Sequence, residues 1–205
     1  MNLVRADAPD AIRIAAEAVR NGGTVIYPTD TLYGIGADAR STVAVRRVDM
    51  IKDREGKPMS VVVTDLSMAE RYCRVNALAK EYAAKLLPGP YTFVIYRKGE
   101  GIARNVAGDT IGIRIPDSRF PVELVRELGY PITSTSANKT GKPSACRLEE
   151  VDGEVKGKVD VVVDGGACEH KEGSTVIDVR GDEPVVLRRG AGHERFLALQ
   201  KSVLR

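Results

Sequence analysis

The chain has 205 residues, of which 43% are hydrophobic and 29% charged, and its formal net charge is +3. This length can bury one sizeable core, so we expect a single domain over residues 1–205, and a charge this modest excludes a strongly basic nucleic-acid module. No apolar run reaches membrane-spanning length and residues 1–10 lack the apolar core of a signal peptide, which predicts a cytoplasmic protein.

Two helices are well marked in the first quarter of the chain. Asp7 can cap the first helix, with Pro9 in its first turn and Gly22 just beyond its end. Ser41 can open a second helix that continues to about Lys52. The segment between them, after a strand over residues 24–28, reads as a loop.

Apolar runs predict the other elements. Strands are expected near residues 59–63, 91–97, 110–116, 131–138, 159–164, 174–179 and 184–188. Helices are expected near residues 67–74, 77–87 and 118–129, and from about Glu194 onward. Helices alternate with the early strands and hairpins dominate late, which predicts an α/β fold with a mixed sheet.

The cysteines and histidines suggest no metal site or disulfide framework. Cys73, Cys146 and Cys168 are odd in number and not closely spaced, and His170 and His193 do not complete a cluster. We expect each thiol to be buried or idle, because free cysteine usually behaves as a small hydrophobic residue.

A basic segment follows the second helix. In KDREGKP, Lys52 and Arg54 lie two residues apart and Lys57 follows Gly56. Cations at the end of a helix suit a polyphosphate, since arginine offers a planar fork and lysine a compact charge. The same pattern is also typical of a solvated helix end, so the segment alone leaves both interpretations open.

The strand TIGIRIP places an arginine beside a glycine. Because side chains alternate, Ile111, Ile113 and Ile115 share the buried face while Gly112 and Arg114 share the other. The absent glycine side chain predicts room for a flat carboxylate that the arginine can hold with two hydrogen bonds. An exposed arginine in a surface ion pair is the alternative.

Residues 131–144 are rich in hydroxyl groups. Ser134 and Ser136 fall on one strand face, Thr133 and Thr135 on the other, and Asn138 follows. Such groups can bind phosphate or ribose oxygens, although a hydroxyl-rich edge strand that runs into a turn would look the same.

Polar residues also follow the strand at 24–28. Thr29, Asp30 and Thr31 precede Gly34 and Gly36, which do not form a dinucleotide-binding fingerprint. The chain carries neither a nucleophile-elbow motif nor a GxxxxGK[ST] phosphate loop. If it is an enzyme, we expect catalysis by positioning and electrostatics.

Seven segments between about Gly23 and Gly190 resemble, in order and spacing, the YrdC-type threonylcarbamoyl-AMP synthase family. They are PTDTLYG, the K-x-R pair, LLPGPYTFV, IGIRIP, S-x-N, GST and LRRG. The resemblance implies a twisted open mixed sheet with flanking helices and a positively charged concave groove. It also implies the formation of threonylcarbamoyl-AMP from L-threonine, bicarbonate and ATP, with release of pyrophosphate, for threonylcarbamoyladenosine modification of tRNA.

The resemblance assigns roles by position. Those matching the ATP-binding set are Lys52, Arg54, Thr110, Ser136, Asn138, Ser144 and Arg188. Those matching the L-threonine-binding set are Thr31, Arg114, Ser134 and Ser174. Lys52 and Arg54 would be catalytic by neutralising phosphate charge, while Mg²⁺ would be held mainly by phosphate oxygens and water, without protein metal ligands.

Three departures accompany the resemblance. Val62 stands where some relatives have histidine, Arg189 stands where proline is common, and we expect a short form without the extra C-terminal domain of some relatives. The expected partners are the small substrates and a tRNA threonylcarbamoyl transferase, with weak or no direct RNA binding. The alternatives are an RNA-binding module and a carbamoyl-adenylate-forming domain with another acceptor.

Overall fold

The computed structural model describes residues 1–54 and 56–203. The strands are β1 (Asn2–Arg5), β2 (Val25–Tyr27), β3 (Gly34–Gly36), β4 (Ser60–Val62), β5 (Tyr91–Tyr96), β6 (Thr110–Arg114), β7 (Ile132–Ser136), β8 (Val161–Asp164), β9 (Thr175–Asp178) and β10 (Val185–Arg188). The α-helices are α1 (Ala11–Arg20), α2 (Thr42–Ile51), α3 (Leu66–Tyr72), α4 (Ala77–Leu86), α5 (Arg119–Leu128), α6 (Gly153–Lys158) and α7 (His193–Val203).

The described strands form one mixed sheet in the order β1-β8-β2-β3-β7-β4-β6-β5-β9-β10. Parallel pairs join β1 with β8, β2 with β8, β4 with β6, and β5 with β9. The other neighbours run antiparallel. The predicted mixed α/β sheet with flanking helices is therefore confirmed.

The two early helices differ in how well the sequence located their first turns. Ser41 caps α2 by accepting a hydrogen bond from the Ala44 amide at 3.2 Å, as predicted. The cap assigned to Asp7 is wrong, because Asp10 occupies the N-cap position of α1. The Asp7 carboxylate instead accepts two hydrogen bonds from Arg5, at 2.9 and 3.0 Å.

The segment expected to be a loop at residues 29–39 contains strand β3, which pairs antiparallel with both β2 and β7. A Cβ atom at Gly36 would lie 2.7 Å from a ring carbon of Tyr27, so glycine lets the strand pass the buried ring. Glycine is a poor strand former, and tertiary packing overrides that propensity here. Strand β1 and helix α6 were also not predicted.

The core lies on both faces of the sheet. Tyr27, Phe93 and Phe196 are fully buried. Along β6 and the residue beyond it, the predicted burial of the alternating isoleucines at 111, 113 and 115 is confirmed, and this turns Arg114 to the opposite face. None of the described helices is long and apolar enough to cross a membrane.

Candidate active site

A cavity of about 630 Å³ opens where β5, β6, β7 and β9 meet the loop after β2. Seven residues singled out in the sequence line it: Thr31, Arg114, Ser134, Ser136, Ser144, Ser174 and Arg188. They come from five separate segments of the chain, and the sheet topology brings them together. The structure therefore places most of the predicted site residues around one space.

Arg114 forms part of the cavity wall and is anchored from behind. Its Nη2 donates to Asp30 Oδ1 at 3.0 Å and to Thr31 Oγ1 at 2.9 Å. The Asp30 side chain is 0% exposed and that of Arg114 is 9% exposed, so solvent screens this ion pair little. Asp30 Oδ2 also accepts from the Asp117 amide at 3.2 Å, which fixes the carboxylate.

The guanidinium of Arg114 retains hydrogen-bonding capacity. Its Nε is buried and has no hydrogen-bond partner among the described residues. Its Nη1 also makes no hydrogen bond among the described residues and, unlike Nε, is open to solvent, so it is the donor that a ligand in the cavity can reach. The geometry thus favours binding of an anion at this wall, as the sequence pattern suggested.

The hydroxyl of Thr31 lies between Thr29 and Arg114. Thr31 Oγ1 is 2.9 Å from Thr29 Oγ1, and either hydroxyl could be the donor. Thr31 Oγ1 accepts from Arg114 Nη2 at 2.9 Å. A hydroxyl oxygen has two lone pairs, so it can still bind a ligand polar group such as an ammonium or hydroxyl.

On the β9 side, Arg188 and Ser174 are joined directly. The guanidinium of Arg188 donates to the Ser174 carbonyl at 2.7 Å and to Ser174 Oγ at 3.1 Å. Partial desolvation, and secondly the nearby charge of Arg114, lower the pKa of Arg188 from its ordinary value. Two cations that influence each other across one cavity favour an anionic occupant.

Thr92 also lines the cavity, although no sequence motif marked it as a candidate site residue. Its Oγ1 lies 2.8 Å from Ser174 Oγ. The only sequence signal was its place inside the LLPGPYTFV segment. A Cβ atom at Gly112 would lie 2.9 Å from Thr92 Cγ2, so the room predicted there for a carboxylate is partly filled by this methyl group.

Lys52 and Arg54 lie behind the residues that line the cavity and are not among those lining residues. Lys52 Nζ donates to the main-chain carbonyls of Ser136 and Asn138, the latter at 2.7 Å. Burial, and secondly the charge of Arg54, lower the pKa of Lys52 to about 8. Lys52 therefore holds the turn after β7 in place through these two hydrogen bonds.

Arg54 is held by its own set of contacts. It forms an ion pair with Asp49 at 3.0 Å and donates to Thr135 Oγ1 at 3.3 Å and to the Pro58 carbonyl at 3.2 Å. Thr135 and Pro58 line the cavity, so the arginine lies one residue away from it. Burial lowers the pKa of Arg54 despite the carboxylate beside it.

The turn after β7 is organised by Asn138. Its Nδ2 donates to the carbonyls of Lys139 at 2.8 Å and Lys142 at 2.7 Å, and its Oδ1 accepts from Ser144 Oγ at 3.3 Å. Asn138 therefore positions Ser144, which lines the cavity, although Asn138 itself is not a lining residue. Thr110, half-buried at the start of β6, is likewise outside the lining, on the same strand face as Arg114.

Val62 and Arg189, where the sequence departs from the family resemblance, have different environments. Val62 is 0% exposed, pairs in register with Arg114 and Ile132, and is not among the described lining residues. Arg189 lines the cavity, as does Arg188. Val62 therefore belongs to the core, whereas Arg189 contributes a cation to the cavity.

Free thiols and metal ligands contribute little to this region. Cys73 and Cys168 are buried, and burial raises the pKa of Cys73 to about 12 and that of Cys168 to about 11. Such thiols are almost entirely protonated at neutral pH and are poor nucleophiles. Among residues 1–54 and 56–203, no group of three or more His, Cys, Asp or Glu side chains could hold a metal ion.

Comparison with known protein families identifies the fold. Residues 17–190 match the family Sua5_yciO_yrdC, whose description is telomere recombination. The chain belongs to the Sua5/YciO/YrdC family. This confirms the resemblance inferred from the seven ordered segments.

Two relatives show how much of this chain, and how much of each relative, the similarity covers. A Methanocaldococcus jannaschii protein, provisionally named a threonylcarbamoyl-AMP synthase, is 47% identical over 174 residues, which cover 84% of this chain and 82% of that protein. The threonylcarbamoyl-AMP synthase of Bacillus subtilis is 35% identical over 180 residues, covering 86% of this chain. This family domain spans only 52% of the Bacillus relative.

Solved structures of the Sua5/YciO/YrdC family superpose closely. Pyrococcus abyssi Sua5 complexed with L-threonine matches with a TM-score of 0.86 and 33% identity, over 92% of this chain and 57% of that one. Escherichia coli YciO matches with a TM-score of 0.82 and 31% identity, over 93% of this chain and 95% of that one. The expected open twisted sheet is thereby confirmed.

Proposed function

We propose that this chain uses ATP to convert L-threonine and bicarbonate into L-threonylcarbamoyl-AMP, releasing pyrophosphate. One observation carries the proposal: the anchored guanidinium of Arg114 shares a hydroxyl-lined cavity with a second cation, Arg188. That arrangement suits a ligand with a carboxylate at one end and phosphates at the other. Family relatives named threonylcarbamoyl-AMP synthase support the same reaction.

At the amino-acid end, Arg114 would hold the substrate carboxylate. Its anchors, Asp30 and Thr31, fix the guanidinium before the ligand arrives, which reduces the entropic cost of binding. Thr31 would accept a hydrogen bond from the amino group or hydroxyl of threonine, and Ser134 would complete the subsite. Together these groups would direct the amine nitrogen toward the nucleotide.

At the nucleotide end, the proposed contacts are hydroxyls and cations. Ser136, Ser144 and Arg188 line the cavity and would bind ATP directly. Lys52 and Arg54 would stabilise the triphosphate through their charges and by holding the wall that carries Ser136. Asn138 would hold Ser144 in place, and Thr110 would bind the part of ATP that extends along β6.

The chemistry requires no protein nucleophile. The threonine amine and bicarbonate give a carbamate with loss of water, and a carbamate oxygen then attacks the α-phosphorus of ATP while pyrophosphate departs. Negative charge grows on the leaving phosphates, and fixed cations in a partly desolvated site stabilise it. Positioning of the carbamate against the α-phosphorus supplies the remaining rate enhancement.

Magnesium would be bound chiefly by the nucleotide. Glu172 is the acidic residue among the described cavity-lining side chains, and Asp30 is already engaged by Arg114. This donor set fits an ion that keeps phosphate oxygens and water as ligands. When bound, Mg²⁺ would screen the charge of the triphosphate.

The product is a reactive mixed anhydride, so we expect its transfer to a tRNA threonylcarbamoyl transferase in the cytoplasm.

The described lining of the cavity includes four basic residues and one acidic residue, so its net positive charge would favour the binding of ATP. We expect weak or no direct binding of RNA. The named relatives favour the enzyme over the RNA-binding alternative.

Pyrophosphate release tests the proposal. We expect release to require ATP, L-threonine and bicarbonate together, and Arg114→Ala to reduce it by roughly two orders of magnitude or more. Arg119→Ala is the matched control, because that arginine is 86% exposed and its ion-pair partner among the described residues is Glu123. Release that persists without threonine, or turnover with carbamoyl phosphate but not threonine, would contradict the proposal.

A further inference from the structure

Thr92 lies on β5 beside the anchored arginine. Phe93 pairs with Ile113 in the antiparallel register of β5 and β6, so Thr92 and Arg114 are neighbours at the next position. Thr92 is 6% exposed and Ser174 is 4% exposed, yet both line the cavity. Their small accessible surface therefore faces the space where a ligand would lie.

The Thr92–Ser174 pair has one hydroxyl hydrogen that is not used within the pair. The two hydroxyl groups carry two hydrogens, and the 2.8 Å contact between them uses one. Arg188 only donates to Ser174 Oγ, so it consumes a lone pair and no hydrogen. Among the described residues, neither hydroxyl makes a further hydrogen bond. The pair thus offers a ligand one donor together with acceptor lone pairs.

Gly112 fixes the orientation of this pair. The methyl carbon of Thr92 occupies the space a side chain at Gly112 would need, only 2.9 Å from the position of a Cβ atom there. A β-branched side chain has few allowed rotamers, so seating the methyl group over the glycine directs the hydroxyl toward Ser174 and the cavity. The donor is therefore preorganised.

We propose that Thr92 is a further substrate-binding residue, and that the Thr92–Ser174 pair binds the β-hydroxyl of the amino-acid substrate. This inference rests on the proposed threonine-dependent function. The pair is neutral and can both donate and accept, which matches an alcohol, whereas Arg114 has the charge that a carboxylate requires. An amino acid lacking the hydroxyl leaves the buried pair without its ligand partner, which penalises it.

The test measures amino-acid binding by calorimetry, without turnover. L-threonine, L-serine and L-2-aminobutyrate are titrated into the wild-type protein, Thr92→Val and Thr92→Ser. We expect Thr92→Val to weaken L-threonine and L-serine binding about tenfold and to change L-2-aminobutyrate binding by less than about twofold. Thr92→Ser keeps the hydroxyl and should retain most of the preference for L-threonine.

Two further variants make the result unambiguous. Thr42→Val makes the same chemical change at an exposed helix position outside the cavity and should leave all three affinities unchanged. Ser174→Ala removes the other half of the pair and should reduce the preference for L-threonine over L-2-aminobutyrate in the same way. If Thr92→Val fails to fold, as judged by its melting temperature, Ser174→Ala and Thr92→Ser still decide the question.

The outcomes separate the two proposals. Equal weakening of L-threonine and L-2-aminobutyrate by Thr92→Val would overturn the assignment of the pair to the hydroxyl. Unchanged L-threonine binding in that variant would show that the ligand does not contact Thr92, while leaving the proposed function intact. A wild-type protein that binds no threonine would overturn both.

Discussion

The anchored arginine of β6 and the lysine at the end of α2 are both buried cations beside the same cavity, yet their donors are engaged differently. Arg114 is anchored through Nη2 by Asp30 and Thr31, and its Nε has no partner among the described residues. Lys52 is held by the carbonyls of Ser136 and Asn138.

The difference separates two ways in which a cation can serve a site. An arginine anchored on one side keeps its remaining donors for a ligand and binds it directly. Lys52 gives two of its three ammonium hydrogens to main-chain carbonyls and does not line the cavity, so it acts through its charge and through the turn it supports. We therefore expect changes at the Arg114 wall to alter amino-acid binding, and changes at Lys52 to alter the nucleotide side.

The strongest test in this comparison removes the anchor of Arg114. Asp30→Asn leaves the guanidinium buried without its counter-charge, which should lower the free energy of unfolding by about 3 kcal/mol. The KM for threonine should rise roughly a hundredfold while the KM for ATP changes little. Denaturant unfolding and steady-state kinetics measure the two effects, and a rise in the KM for ATP of the same size would contradict the separation.

A smaller effect is expected at Gly112. Gly112→Ala places a Cβ atom 2.9 Å from the Thr92 methyl and 3.2 Å from Ser60 Cβ, so the threonine must rotate. We expect about tenfold weaker threonine binding, measured by calorimetry. Thr92→Ser removes the methyl group, so the double variant should bind threonine more tightly than Gly112→Ala alone. No such recovery would show that the contact with Ser60 dominates.

The smallest expected effect is the pH dependence at Lys52. Its pKa is lowered to about 8 from 10.5, so its charge disappears as pH rises through about 8. We expect kcat/KM for ATP to fall several-fold above that pH. Lys52→Arg should move the fall to higher pH, because arginine remains charged. A profile unchanged by Lys52→Arg would assign the titration to another group.

The same lowered pKa makes the free energy of unfolding rise with pH, whereas kcat/KM for ATP is expected to fall. Between about pH 8 and 10.5 the unfolded chain holds the Lys52 proton while the folded chain has released it. The contribution of this group to the free energy of unfolding therefore rises with pH in that window. Denaturant unfolding of the wild type and of Lys52→Met at both ends of the window measures it, with the exposed Lys85→Met as control.

Much of the molecule follows from local patterns. Alternation along residues 111–115 correctly placed the isoleucines in the core and Arg114 on the other face. Ser41 correctly marked the start of α2. The ordered segments between about Gly23 and Gly190 were sufficient for the family and hence the fold. The first two features depend on residues close together in the chain, where the periodicity of helices and strands carries the information, whereas the family follows from the order of segments along most of the chain.

Tertiary structure decided what each site side chain can still bind. The partners of Lys52 lie 84 and 86 residues away, and Ser174 lies 82 residues from Thr92. Periodicity assigns a residue to a face, but the use of its donors depends on atoms that remote strands bring within hydrogen-bond distance. For the same reason, the insertion of β3 between β2 and β7 and the methyl group over Gly112 could not be inferred from sequence, because both depend on packing against strands that are remote in the chain.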